Sequence, residues 1–143
     1  MSGPGKCDRS GLFAVLHAAG VLESRVESRL SEAGLSMAKL AALRQLTLAG
    51  DSLPLGQLAE RLACVKSNVT QLVDRLEADG LVSREGDPSD RRSRLAVMTE
   101  AGRKAYERGS ELQQQAEREL FGAFSGDESA QLEKLLAKLH TDA

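Results

Sequence analysis

Leu58 to Met98 reads LAERLACVKSNVTQLVDRLEADGLVSREGDPSDRRSRLAVM. The segment predicts two short amphipathic helices joined by a tight turn, then an arginine-tipped hairpin. A helix at about Leu55–Leu62 buries Leu55, Leu58, Ala59 and Leu62. After the Ala63–Cys64 turn, a helix at about Lys66–Asp79 carries the apolar stripe Val69, Leu72, Val73 and Leu76 and stops at Gly80, which tolerates a left-handed helix end. With that stripe inward, a turn of about 100° per residue points Ser67, Gln71 and Asp74 outward, flanked by Asn68, Thr70 and Arg75. Leu81–Glu85 and Arg94–Met98 have strand length and composition, and Gly86 to Asp90 between them is turn chemistry. This order offers a helix for the major groove of DNA and a cationic finger for the minor groove.

Working outward, Leu12, Phe13, Val15, Leu16, Ala19, Leu22, Val26 and Leu30 recur at helical spacing. They predict a first helix over about Ser10–Ala33, stopped by Gly34, with Gly20 as a point where it can kink. Ser36 caps a second helix carrying Leu40, Ala41, Leu43, Leu46 and Leu48, ended by Gly50 and Asp51. Leu53 and Pro54 read as a short extended bridge. Beyond the hairpin, Thr99 caps a long helix over about Glu100–Phe121. Ser125 with Glu128 makes a capping box for a last helix holding Leu132, Leu135, Leu136 and Leu139.

The chain has 143 residues, 41% hydrophobic and 28% charged, which suits one globular domain over residues 1–143. Its terminal helices carry leucines that need a partner to cover them. A formal charge of -2 and a pI near 5.7 exclude a protein that coats nucleic acid indiscriminately, so any DNA footprint is local. No apolar run approaches the roughly 20 residues that span a bilayer, and the start MSGPGKCDRS lacks the apolar core of a secretion signal. A cytoplasmic protein with no membrane partner is expected. Cys7 and Cys64 lie far apart without ligand-type spacing, His17 and His140 have no nucleophile motif beside them, and no glycine-rich phosphate loop is present. Neither an enzyme, a cofactor nor a metal site is indicated.

LAERL (Leu58–Leu62), VTQLVDRLEADGLV (Val69–Val82), DPSDRR (Asp87–Arg92) and MTEAG (Met98–Gly102) together resemble the MarR family of bacterial transcription regulators, whose winged helix-turn-helix core corresponds to residues 36–109. The resemblance covers nearly the whole chain. It implies a mainly α fold with a small β-hairpin wing: a DNA-binding core at 36–99, flanked by dimerisation helices at 10–35 and 100–143. It also implies a homodimer whose two recognition helices meet a palindromic site on double-stranded DNA about one turn apart.

The resemblance further places Lys66, Ser67, Asn68, Thr70 and Gln71 against bases and phosphates. Arg75 either reaches a phosphate or pairs with Asp90 of the wing. Asp90 and Arg92 fall on a D-x-R pattern in which the arginine enters the minor groove and the aspartate braces the hairpin. A guanidinium suits that narrow, electronegative groove because its charge is delocalised and weakly hydrated. Arg91 and Arg94 serve phosphates, and Arg84 serves either a phosphate or a cross-strand pair. Val65 stands where the family commonly has a capping serine or threonine, so Ser67 or water must cap the helix, or the helix starts elsewhere.

Many members of the family release DNA when a small aromatic acid or phenol binds. By position, the effector pocket candidates are Leu16, His17, Met37 and Arg44, the last able to hold a carboxylate. Aromatic residues make up 3% of the chain, which furnishes a stacking cage poorly. Cys7, just before the first helix, resembles the thiol of the family's peroxide-sensing branch and opens a redox alternative; Cys64 reads as a packing residue. The other competing reading is a winged helix that binds protein and not DNA.

Overall fold

The computed structural model describes residues 10–62 and 68–140. Among these, helices and strands follow in the order α1 (Gly11–Ser31), α2 (Met37–Leu48), β1 (Ser52–Pro54), α3 (Leu55–Arg61), α4 (Val69–Ala78), β2 (Val82–Asp87), β3 (Asp90–Met98), α5 (Glu100–Phe121) and α6 (Gly126–Ala137). Short polar side chains set most helix starts by satisfying first-turn donors that have no partner inside the helix. Ser10 Oγ accepts from Phe13 N–H at 3.2 Å, Ser36 Oγ from Lys39 N–H at 3.1 Å and Thr99 Oγ1 from Gly102 N–H at 3.0 Å. Ser125 and Glu128 form a reciprocal capping box. Gly34 and Gly80 take φ of +71° and +77° just past their helices. α1 runs through Gly20 without interruption.

The three strands form one antiparallel sheet in the order β1-β3-β2. Leu53 and Pro54, expected as a bridge, are therefore part of an edge strand, with Leu53 opposite Ala96 and Pro54 opposite Leu95. An edge position tolerates proline, which has no N–H to give to the ladder. The approach to that strand is tightly held. Asp51 sits at φ +82°, a conformation side chains rarely adopt. Its N–H donates to Leu46 O at 2.7 Å, its carbonyl accepts from Met98 N–H at 2.8 Å, and its carboxylate meets Arg103 Nη2 at 2.8 Å.

The hairpin is longer than its sequence suggests: its strands reach Asp87 and begin again at Asp90, leaving Pro88 and Ser89 as the tip. Side chains supply the turn. Asp87 Oδ1 accepts from Ser89 N–H at 2.9 Å and from Ser89 Oγ at 2.7 Å, with a register irregularity at Gly86/Asp87.

The core is contributed by every segment from the end of α1 to the middle of α5. Leu30, Leu43, Leu46, Leu58, Val73, Leu76 and Leu112 are fully enclosed, and no polar or charged side chain among the described residues is buried. α3 turns only Leu58 inward along its length, with Leu62 following; Leu55 is half-buried and Ala59 exposed, because seven residues present a narrow stripe. The two ends of the chain differ. α6 buries nothing, and Leu12, Phe13 and Leu16 of α1 stand exposed together with Leu135, Leu136 and Leu139. Glu27 Oε1 accepts from Met37 N–H at 2.6 Å, and Arg29 pairs with Glu119, tying the second half of α1 to α2 and α5.

Candidate nucleic-acid interface

Helix α4 and the β2–β3 hairpin stand next to each other, and their exposed side chains make one surface. Leu72, Val73 and Leu76 anchor α4 in the core and Val69 is half-buried. The opposite face exposes Asn68, Thr70, Gln71, Asp74 and Arg75. These are hydrogen-bonding groups at one-turn spacing, able to meet base edges and phosphates.

α4 starts at Val69, later than the expected Lys66, and Asn68 caps it: its Oδ1 accepts from Gln71 N–H at 3.3 Å. The gap left by Val65 in the family's capping position is thus met by a side chain also placed among the base-contacting candidates. Lys66, Ser67 and Cys64 lie outside the described residues, as does Cys7. Replacing Asn68 with alanine is expected to lower stability by about 1 kcal/mol through the lost cap, whereas aspartate, an equally good cap, keeps it. Urea unfolding followed by circular dichroism distinguishes the two.

In the wing, Arg91, Arg92 and Arg94 are all exposed, and none enters an ion pair among the described residues. Asp90 Oδ1 accepts from Arg92 N–H at 3.0 Å, so that carboxylate fixes the backbone from which the Arg92 guanidinium projects. Hydrogen bonds from the Ser89 hydroxyl and then the Ser89 N–H hold the Asp87 carboxyl below the usual aspartate range, since they stabilise its ionised form. The turn therefore keeps its charge, and its hydrogen bonds, to lower pH than a free aspartate would.

For two arginines the structure lacks the pairing that the sequence offered as one alternative. Arg75 makes no pair with Asp90; it lines a polar cleft of about 310 Å³ with Ser36, Lys39, Asn68 and Gln71, where Lys39 Nζ is itself held by Asp79 at 2.8 Å. Arg84 makes no cross-strand pair. It reaches back to α4, with Nη2 2.6 Å from Asp74 Oδ1 and Nη1 3.4 Å from Glu77 Oε1. Sequence reasoning missed the Arg84 partners because they lie on another element.

The effector candidates divide. Met37 and Arg44 line one cavity of about 400 Å³ between α1, α2 and α5, together with Leu22, Val26, Leu40 and Tyr106. Leu16 and His17 lie outside it, on the exposed first half of α1, six and five positions before Leu22. Tyr106 and Phe121, two of the four aromatic residues in the chain, also line this cavity. Both stand on α5, at positions that sequence spacing did not connect with Arg44. No group of three or more potential metal ligands occurs among the described residues, and none of their helices is long and apolar enough to cross a membrane.

Comparison with known proteins gives this geometry its context. The model of the MarR family matches residues 35–93, which span α2 to the wing. The uncharacterized HTH-type transcriptional regulator YkoM of Bacillus subtilis is 35% identical over 107 residues, covering 75% of this chain and 69% of YkoM. The transcriptional activatory protein BadR of Rhodopseudomonas palustris is 36% identical over 113 residues, 79% of this chain but only 61% of BadR. Among solved structures, a mutant of MarR from Escherichia coli complexed with operator DNA superposes with a TM-score of 0.79 at 26% identity, covering 91% of this chain and 94% of that one.

Proposed function

Because this chain belongs to the MarR family of transcriptional regulators and carries its DNA-binding winged helix, we propose that it acts as a homodimer on a pseudo-palindromic operator. α4 enters successive major grooves, and the wings flank them in the minor groove. The observation that carries this reading is the wing: three exposed arginines without ion-pair partners among the described residues, on a hairpin braced by Asp87 and Asp90, beside a polar face of α4. Unpaired guanidiniums on a chain of net charge -2 concentrate positive potential where phosphates would lie.

The apolar surface of α1 and α6 supports the dimer. Leu12, Phe13, Leu16, Leu135 and Leu139 are each at least half exposed in a single chain, and two-fold pairing covers such a surface. Operator occupancy then excludes RNA polymerase, making the protein a repressor. BadR is named an activator, and the sign of regulation follows from operator placement. The protein works in the cytoplasm, where the chromosome is.

Release follows when a small amphipathic carboxylate or phenol enters the cavity of Met37, Arg44 and Tyr106. Arg44 has no ion-pair partner among the described residues and is free to take an acidic group. An effector there shifts the spacing of the winged domains only by binding one dimer geometry better than the other.

Fluorescence anisotropy on the DNA immediately upstream of the protein's own coding sequence, against a scrambled duplex and over a salt series, tests the central claim. Selective binding is expected, with affinity falling steeply as salt rises through counterion release. No DNA affinity at any salt would instead favour a protein-binding winged helix.

A further inference from the structure

The recognition surface contains a feature that works against DNA. Asp74 lies one turn beyond Thr70 on the exposed face of α4, and Glu77 follows it; their side chains are 55% and 43% exposed. Two carboxylates on a helix that approaches phosphates are repulsive and reduce affinity. Among the described residues, one cation is seated on them. Arg84 rises from β2 at the base of the wing, opposite Ala96, and its own side chain is 20% exposed.

We propose that Arg84 is a charge-masking and positioning residue of the DNA interface: its guanidinium halves the negative charge of the Asp74–Glu77 pair while locking the recognition helix to the wing. The inference rests on the DNA-binding reading of α4 and the hairpin. The geometry uses what is particular to arginine, a planar fork of donors that meets several acceptors at once. Nη2 lies 2.6 Å from Asp74 Oδ1 and 3.4 Å from the Thr70 carbonyl oxygen, and Nη1 lies 3.4 Å from Glu77 Oε1. One side chain of the wing thus grips α4 at three points over two turns. The Thr70 contact fixes the backbone beside two base-facing candidates, Thr70 and Gln71.

Electrostatically, Arg84 brings the local charge of the cluster from -2 to -1, counting one cation and two carboxylates. Removing it leaves both carboxylates bare at the groove. Exposed ion pairs of this kind contribute little to folding. The consequence of losing Arg84 therefore falls on DNA affinity, well before stability.

The test is a charge cycle read by anisotropy on the upstream duplex, with thermal unfolding measured alongside. Arg84→Ala is expected to bind about tenfold more weakly than the parent, with a thermal midpoint close to the parent's. Adding Asp74→Asn and Glu77→Gln to that variant is expected to bring affinity back to within about threefold of the parent, because the repulsion is gone. The same two neutral substitutions with Arg84 in place are expected to bind about threefold more tightly than the parent. This last variant removes no arginine and gives an answer even where Arg84→Ala fails to fold.

Parent-like affinity in Arg84→Ala, a loss that the neutral pair does not recover, or parent-like or weaker binding by the neutral pair alone would each overturn the proposal. A parent protein that binds neither duplex would overturn this inference and the DNA-binding reading together.

Discussion

Replacing Gly102 with alanine is expected to destabilise the protein by about 3 kcal/mol, the sum of a severe overpacking cost and a lost helix cap. The first turn of α5 lies directly on the turn between α4 and β2. Thr99 N–H donates to Leu81 O at 3.1 Å, Thr99 Oγ1 donates to Gly80 O at 2.7 Å, and the same Oγ1 accepts from Gly102 N–H at 3.0 Å. A Cβ added to Gly102 would stand 2.1 Å from Leu81 O and 3.0 Å from Met98 Cγ. The obstacle is a backbone carbonyl already engaged by Thr99, so no rotamer change relieves it. The start of α5 has to lift away, which loosens the Thr99 cap and strains the adjacent Arg103–Asp51 pair.

For a chain of this length, that loss lowers the thermal midpoint by on the order of 10 °C. Gly56→Ala is the matched control. It lies in α3 with nothing within 4 Å of the added methyl, and helix propensity alone makes it neutral or slightly stabilising. The two variants and the parent are compared at one protein concentration, since a dimer's midpoint depends on it. Equal midpoints for Gly102→Ala and the parent would mean that the close approach of α5 to Leu81 is not a constraint.

Gly102 also shows where reading the sequence stops. MTEAG was legible as part of a family pattern, but the reason for its glycine is a contact with a carbonyl 21 positions earlier, and nothing local encodes that distance. Gly109 is the same case. A Cβ there would meet Leu35 Cδ1 at 2.7 Å and Leu40 Cδ1 at 2.8 Å, so a side chain at that point would force these two core leucines to shift. What was legible obeys local rules. The stripe of Leu72, Val73 and Leu76, the caps Ser36, Thr99 and Ser125, and the stops Gly34 and Gly80 each follow from helical period or from first- and last-turn chemistry within four residues.

The differences between sequence reading and structure have separate causes. β1 has three residues, too few to show alternation, and its partner β3 lies some forty positions away. Asn68 was read for the groups it offers to DNA, although the same amide caps α4. The hairpin tip is narrower than the sequence suggests because the Asp87 side chain holds the turn through Ser89, letting the strands run on. In the candidate site, the exposed arginines of the wing were visible from composition and turn chemistry. The pairing of Arg84 with α4, and the gathering of Tyr106 and Phe121 around the cavity of Arg44, depend on how elements pack.

Arg92→Ala is expected to weaken operator binding by roughly 2 kcal/mol, about 30-fold, taking at least about 1 kcal/mol for each of the two wings in a dimer. The residue is exposed, carries no ion-pair partner among the described residues, and projects from a backbone held by the Asp90 carboxylate. That combination leaves the guanidinium free while limiting the directions it can take, so little ordering is needed on contact with a groove. Because the contact is ionic, the slope of log affinity against log salt should fall by roughly one for each phosphate-level charge removed. Arg92→Lys keeps the charge and should recover only part of the affinity: a compact, strongly hydrated ammonium sheds water less readily in a narrow minor groove than a delocalised guanidinium does. Since Arg92 is exposed, the thermal midpoint and the oligomeric state by gel filtration should match the parent. Unchanged operator affinity in Arg92→Ala would remove the wing from the interface and leave α4 to account for recognition alone.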